Sequence, residues 1–288
     1  MLDLPSLIFI DGGDPDETTK ARQMLGHIDG QTTNPTLVAK NPEVMRYLVD
    51  GKKLTQEEAL NFYKKIVIDM AKVTSGPISI QVIGDQTTSK DDMLAQARIY
   101  KDWIPNGIIK FPCTSAGLAA AEIFCQEWSV NITLNFSQEQ AAAVYVATKR
   151  AKHRVFISPF VGRLDDRGEN GMDVVKNILQ MYHDHAESLE QSRRVEVLTA
   201  SLRRLSHLLY ALFLKSPAIT VPFKIFTQWQ ATKFVTPMEQ YKYEALNLKL
   251  IPYQEIVLDR PWQSYDLHHD LTDAGLTKFM EDWRSIIK

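Results

Sequence analysis

A lysine held between branched and aromatic side chains, in Ile108-Ile109-Lys110-Phe111-Pro112, is the residue of this chain best suited to covalent chemistry. The run reads as a short β-strand closed by Pro112. Period-two geometry puts Ile108, Lys110 and Pro112 on one face and Ile109 and Phe111 on the other. Burial penalises the ammonium form, so the pKa falls and a neutral amine becomes available to attack carbonyl carbons. An apolar strand with a solitary lysine is therefore a candidate Schiff-base site. A lysine at a strand end also snorkels to water, and the pentapeptide alone fits that reading better. The rest of the chain has to decide.

The elements that would position Lys110 repeat at regular intervals. Strand-like runs occur at 7–11, about 28–34, 78–83, 108–112, 130–136, 154–160, 195–201 and 218–223. Helical segments separate them: one opening at Asp14-Pro15 as N-cap and first residue, then about 55–73, 88–103, 114–128, 137–151, 172–190 and 202–215. Alternation of this kind implies parallel strands joined by right-handed crossovers. Eight strands favour a closed barrel over an open sheet, so the expected fold is a single (β/α)8 TIM barrel over residues 1–231. The connection 161–171 (VGRLDDRGENG) is the most charged and glycine-rich, which suits a ligand-facing loop. Residues 232–288 leave the alternation. Their end places Leu276, Phe279, Met280, Trp283, Ile286 and Ile287 on one helical stripe, expected to cover the barrel of its own chain or to dock on a neighbouring subunit as a homo-oligomer contact.

Composition narrows the class of partner. The 288 residues carry 44% hydrophobic and 24% charged side chains, ordinary for a soluble enzyme. A net charge of −2 gives no basis for a nucleic-acid or membrane-surface partner. Cys113 and Cys125, twelve apart, match neither a CxxC nor a zinc pattern. The N-terminal MLDLPSLIFIDGG lacks a basic n-region and reads as a strand rather than a signal peptide, and no apolar run approaches membrane-spanning length. A cytoplasmic location is expected.

The strand faces bear on the lysine. Barrel lumens are normally packed with branched apolar side chains, yet Asn131, Thr133 and Asn135 share one face, and Ser79 and Gln81 alternate with Ile78, Ile80 and Val82. Ser158 follows Phe156 on one face, and Thr199 and Ser201 share another. Rows of this kind need hydrogen-bond partners in the lumen or a ligand there. Asp11, Asn34, Lys110, Thr133 and Ser158 all fall near the C-terminal ends of their strands, the catalytic end of such a barrel.

At this point the blocks TTNPTLVAK (32–40), IIKFPCTSAGLAAAE (108–122), VNITLNFSQEQA (130–141), ISPFVGRLDD (157–166) and LTASLRR (198–204) resemble those of the transaldolase family, as does the tail LTDAGLTKFMEDW (271–283). The resemblance covers nearly the whole barrel in the right order. It implies a class I aldol mechanism on phosphorylated sugars with no metal and no organic cofactor. Carried over by position, Lys110 matches the Schiff-base lysine and Asp11 the carboxylate that moves the C4-hydroxyl proton. Thr133 matches a hydroxyl that positions a catalytic water. Thr33, Asn34, Asn131, Ser158 and Phe160 match substrate contacts, and Arg163 and Arg203 the arginines that bind the phosphate, through charge-assisted bonds suited to a planar guanidinium.

Two positions pull apart. Where the best-known transaldolases carry glutamate on the third strand, this chain has Gln81, which resembles the fructose-6-phosphate aldolase branch. That branch has tyrosine where this chain has Phe160, which resembles the transferases. The expected activity is transfer of a dihydroxyacetone unit from sedoheptulose 7-phosphate or fructose 6-phosphate to glyceraldehyde 3-phosphate or erythrose 4-phosphate. The alternatives are an aldolase-like lyase and a silent sugar-phosphate sensor. Other clusters read as ordinary surface or core: His183, Asp184, His185 and Glu187 lie on a solvated helix face, His268-His269 belong to the tail surface, and Cys113 is a packed thiol. Arg167 fits solvated loop charge at least as well as a substrate contact.

Overall fold

Each strand is short and apolar on at least one face, and each is followed by a helix; those after the first five strands open on a side-chain cap. The structure, a computed structural model, describes residues 4–186, 194–245 and 247–288. Eight parallel strands close in chain order, with β1 (Leu7–Asp11) hydrogen-bonded to both β2 (Gly30–Thr32) and β8 (Ala218–Pro222). Between them lie β3 (Ile78–Gln81), β4 (Gly107–Pro112), β5 (Val130–Asn135), β6 (Val155–Pro159) and β7 (Val195–Thr199). This is the (β/α)8 barrel expected from the alternation.

Side-chain caps set where the helices begin. Asp14 caps α1 (Pro15–Leu25), Asn34 caps α2 (Pro35–Ala39) and Asn41 caps α3 (Pro42–Tyr47). Thr55 and Glu58 form a reciprocal capping box at α4 (Gln56–Val73). Ser89, Thr114 and Ser137 cap α5 (Lys90–Tyr100), α6 (Ser115–Phe124) and α7 (Gln138–Ala147). After these come α8 (Val161–Asp166), α9 (Gly171–Asp184), α10 (Leu205–Phe213), α11 (Phe223–Ala231) and α12 (Asp270–Ile286). The helix expected over 172–190 ends at Asp184 among the described residues, and its last expected residues lie outside them. Among the described residues no helix is long and apolar enough to cross a membrane.

Register divides the lumen into two levels. Phe9, Ile108, Phe156, Leu198 and Ala218 form a buried cluster of their own, with Leu7 packed against it, and the Phe9 and Phe156 rings meet edge to face at 5.7 Å. This apolar plug closes the lumen towards the N-terminal ends of the strands. One step further along the same faces the side chains turn polar: Asp11 lies beside Thr32, Gln81 beside Lys110, Lys110 beside Asn131, and Thr133 beside Ser158.

Four sequence expectations change. Strand β2 spans three residues, so Asn34 is a helix cap beyond it. The connection 161–171 is not all loop, because α8 fills its first half, its start tied by Gly162 N–H to the Ser201 carbonyl at 2.9 Å. Asn135 leaves the face of Asn131 and Thr133: a bulge with Leu134 at φ 62° shifts the register and pairs Asn135 with Pro159. Its amide then donates to the Ile132 carbonyl at 2.6 Å. Thr199 faces away from the lumen and finds its partner in the Ser216 hydroxyl at 2.8 Å, so a strand threonine can meet the helix layer without losing its hydrogen bond.

The final helix lies across the C-terminal ends of the strands. Leu276, Phe279, Trp283 and Ile286 are buried against this chain's own barrel. Thr272 donates to the Leu134 carbonyl at 2.9 Å, Gln86 to the Asp273 carbonyl at 2.9 Å, and Arg284 pairs with Asp85 at 3.0 Å. At the far end Leu54 N–H donates to Ile286 and Lys288 N–H donates to Leu54, at 2.9 and 2.8 Å. Gly275 permits the close approach, since a Cβ there would stand 2.6 Å from a Leu134 methyl and 3.1 Å from the Arg163 guanidinium.

Leu134 sits in a left-handed conformation that costs a non-glycine residue about 1–2 kcal/mol, and Thr272 is among the groups holding it there. Thr272→Val keeps the shape, removes the donor to Leu134 and the acceptor used by Gln140, and should lower stability by about 2–3 kcal/mol. Urea unfolding followed by circular dichroism measures this; an unchanged midpoint would show that the helix is held by its apolar stripe alone.

Candidate active site

Lys110 is 2% exposed on the lumen face of β4, directly above the apolar plug. Its ammonium group reaches the Thr33 carbonyl at 3.4 Å and lies 5.7 Å from the centre of the Phe160 ring. Desolvation brings its pKa down to about 8, against an opposing pull from the negative charge of Asp11. At pH 7 that leaves roughly a tenth of the amine neutral, about 300-fold more than for an unperturbed lysine. Snorkelling is excluded by the burial. The strand-end lysine of the sequence is an internal amine.

Asp11, at the end of β1, feels the same surroundings with the opposite sign. Burial raises its pKa, while Lys110, a hydrogen bond from Thr32 and Arg203 pull it down. Thr32 donates to Asp11 Oδ1 at 2.9 Å, and since its only proton is used there, Thr220 donates to Thr32 across 2.6 Å. This chain of hydroxyls fixes the carboxylate and leaves its other oxygen free to accept a proton.

Asn131 is held at both ends. Ser158 donates to its Oδ1 at 2.8 Å, and its amide donates to Ser79 at 3.0 Å, leaving one N–H for a ligand. Asn34 spends its carbonyl on capping α2, through Leu37 N–H at 3.1 Å, which turns its NH2 group outward as a double donor. Gln81 Oε1, Thr133 Oγ1 and Thr33 Oγ1 are buried acceptors with no hydrogen-bond partner among the described residues. A buried polar atom left unpaired costs about 1–3 kcal/mol, so these three oxygens fit a polar ligand in the upper lumen.

Phe160 separates the lysine from the arginines. Arg163 lies 5.8 Å from its ring and 5.5 Å from that of Phe279 on α12, a guanidinium between two aromatic faces. Burial and the like charge of Arg203 lower its pKa, so the two guanidinium groups sit within each other's field. Arg203 is more exposed and donates to Asp166 at 2.9 Å and to Ser201 at 3.3 Å. An exposed pair of this kind is worth about 0–1 kcal/mol.

The barrel thus brings Asp11, Gln81, Lys110, Asn131, Thr133 and Ser158 into the upper lumen, with Thr33, Asn34 and Phe160 at its rim and Arg163 and Arg203 beyond the phenylalanine. Sequence reasoning named Ser79 and Ser201 only as members of polar strand faces and passed over Thr32 and Thr220. Thr32 had a usable signal, because it shares a strand phase with Asn34, whereas Thr220 becomes a neighbour of Asp11 only when β8 closes on β1. Cys113 is fully buried and its thiol pKa is pushed up by desolvation, consistent with packing. Among the described residues no group of three His, Cys, Asp or Glu side chains is placed to hold a metal ion, and Glu187 lies outside them. Arg167 pairs with Glu169 at 2.6 Å.

Comparison with known proteins finds relatives along nearly the whole chain. The family model described as Transaldolase/Fructose-6-phosphate aldolase matches residues 8–288. The probable transaldolase of Heliobacterium modesticaldum is 32% identical over 281 residues, covering 96% of this chain and 97% of that protein. The probable transaldolase of Alkaliphilus metalliredigens is 29% identical over 282 residues, covering 98% and 99%. Probable transaldolase 1 of Listeria monocytogenes is 29% identical over 283 residues, covering 97% and 99%.

The lowered pKa of Lys110 makes its reactivity distinct from that of surface lysines. Below about 8 its protonated fraction dominates, so reductive methylation with formaldehyde and cyanoborohydride should rise with pH and level off above that value. Peptide mass mapping across pH 6–10 follows it; a midpoint near the ordinary lysine value would mean that the lumen does not desolvate the amine.

Proposed function

The chain belongs to the transaldolase/fructose-6-phosphate aldolase family, and on that premise we propose that it transfers a dihydroxyacetone unit between phosphorylated sugars through an imine on Lys110. The observation that carries this reading is a buried, pKa-lowered amine directly above an apolar plug, with a carboxylate and a row of buried polar side chains at the same level.

Neutral Lys110 attacks the C2 carbonyl of a ketose phosphate, and the carbinolamine loses water to give an iminium ion. Gln81 Oε1 and Thr133 Oγ1, both open to hydrogen bonding, hold the water that leaves and later returns. Asp11 accepts the C4-hydroxyl proton, a task its raised pKa suits. The C3–C4 electron pair flows into the iminium, an aldose phosphate departs, and a dihydroxyacetone enamine stays on Lys110. Asn34, Asn131 and Ser158 hold the hydroxyls, and Arg163 and Arg203 the phosphate. An incoming aldose phosphate recaptures the enamine, and the imine is hydrolysed.

Transfer competes with protonation of the enamine. Phe160, 5.7 Å from the amine, carries no hydroxyl, and glutamine at position 81 cannot supply a proton, so the enamine survives until an acceptor arrives. The second reading, a lyase, rests only on the resemblance of Gln81 to the aldolase branch. Phe160→Tyr places an acidic hydroxyl beside the enamine and should raise acceptor-independent cleavage of fructose 6-phosphate by about tenfold or more, assayed by coupled detection of glyceraldehyde 3-phosphate with and without erythrose 4-phosphate.

Borohydride trapping with fructose 6-phosphate tests the imine directly. A triose-sized adduct mapped to Lys110, and absent from Lys110→Ala, is the expected result; folded protein that traps no ketose phosphate would sink the reading. Thr32→Val removes a hydrogen bond that lowers the Asp11 pKa, so the pKa rises and the acid limb of the kcat profile moves to higher pH. An unmoved limb would take the proton-transfer role away from Asp11.

A further inference from the structure

Behind the two arginines lies a buried polar knot that the reaction itself does not use. Asp165, on α8 two residues past Arg163, accepts from Arg204 Nη2 at 2.7 Å and from His207 Nε2 at 2.9 Å through one oxygen. Its other oxygen accepts the Gly171 N–H at 3.0 Å, at the start of α9. His207 is fully buried on α10, and its Nδ1 accepts the backbone N–H of Arg203 at 3.3 Å. The neutral Nε2–H tautomer makes both of these bonds, while Arg204 Nε, 2.8 Å from the same Nε2, forms its bond only in the other tautomer. Arg204 also donates to the Tyr243 hydroxyl at 2.8 Å, and Tyr243 stacks on Tyr210 of α10, centroids 4.4 Å apart and planes 3° from parallel.

The knot grips both arginines through the backbone. Arg163 and Asp165 share one short helix, and Arg203 precedes Arg204 and is held by His207 through its own N–H. Val161 and Gly162 N–H donate to the Ala200 and Ser201 carbonyls at 3.1 and 2.9 Å, which joins the two segments directly. Gly162 leaves the room this needs, because a Cβ there would stand 2.3 Å from the Ser201 carbonyl and 2.6 Å from Arg203 Cγ. The contrast with Asp166 is informative. The Asp166 side chain is 59% exposed and pairs with the movable end of Arg203, whereas the Asp165 side chain is 10% exposed and pairs with groups that fix backbone.

We propose that Asp165, His207 and Tyr243 are positioning residues that set the spacing of Arg163 and Arg203 for one phosphate group, so that the 232–288 extension contributes to sugar-phosphate affinity through Tyr243. The proposal rests on the phosphate-binding reading given above. The shape of the site, in this view, is held by three segments far apart in sequence, and loosening any of them lets the two guanidinium groups drift.

The test uses the full chain and three readouts: inorganic phosphate affinity by 31P NMR titration, steady-state kinetics with fructose 6-phosphate and erythrose 4-phosphate, and borohydride trapping of unphosphorylated dihydroxyacetone. Asp165→Asn should weaken phosphate affinity and raise KM by about tenfold, and Tyr243→Phe by about threefold. In both, kcat and the dihydroxyacetone trapping rate should stay within about twofold of wild type, a split that a loosened fold does not produce. Unchanged phosphate affinity and KM in either folded variant would overturn the proposal, as would a parallel fall of kcat, affinity and trapping. Should Asp165→Asn fail to fold, Tyr243→Phe, which keeps the stacked ring, decides. Wild-type protein that binds phosphate but traps neither substrate would overturn the proposed reaction, while the phosphate titration would still judge the positioning role.

Discussion

Burying one ammonium group is the constraint to which the rest of the lumen answers. Lowering the pKa of Lys110 to about 8 corresponds to roughly 3 kcal/mol against its charged form. The protein sustains this by placing the amine over a layer of Phe9, Ile108, Phe156 and Leu198, where water has no path from below. Asp11 keeps the amine from losing its proton altogether, and the same proximity restrains the rise in the Asp11 pKa that burial causes. Acid and base are therefore tuned by each other and by one shared environment, as expected of groups that exchange protons near neutrality.

Around that pair the site is built by tying each side chain down before a ligand arrives. Asn131 is fixed at both ends, Asn34 doubles as a helix cap, and the hydroxyls of Thr32 and Thr220 orient the carboxylate. Preorganisation of this kind spares the entropy of ordering side chains during binding. Gln81 and Thr133 each keep a buried oxygen without a hydrogen-bond partner among the described residues, open to a polar ligand.

Much of this was legible in the sequence because strand periodicity is rigid. Once Lys110 and Ile108 are assigned one face, register places Gln81 and Asn131 beside Lys110 and Thr133 one step above on the same face. What was not legible came from events that periodicity does not encode. The bulge at Leu134 rotates Asn135 away from its expected face, and nothing in Leu-Asn announces a left-handed residue. Thr220 meets Asp11 only through barrel closure, between strands about 200 residues apart. The pairing of Asp165 with His207 joins residues that look like loop charge and a core histidine when read separately. The resemblance of the motif blocks located the arginines, but only packing shows that Phe279 of α12 lies against Arg163 and that Tyr243 of the 232–288 extension bonds to Arg204.

The apolar plug has a kinetic consequence. A lumen sealed at one end has a single route for entry and exit, and in the proposed reaction Arg163 and Arg203 offer one phosphate clamp at its mouth. In that reaction the aldose phosphate formed by cleavage must vacate the clamp before the next can occupy it, so turnover would alternate between two half-reactions separated by a covalently loaded enzyme. Steady-state plots at varied donor and acceptor then form parallel lines, and high acceptor concentration inhibits by occupying the clamp ahead of the donor. Ordering of this sort needs no moving part. It follows from a barrel that is closed at the bottom.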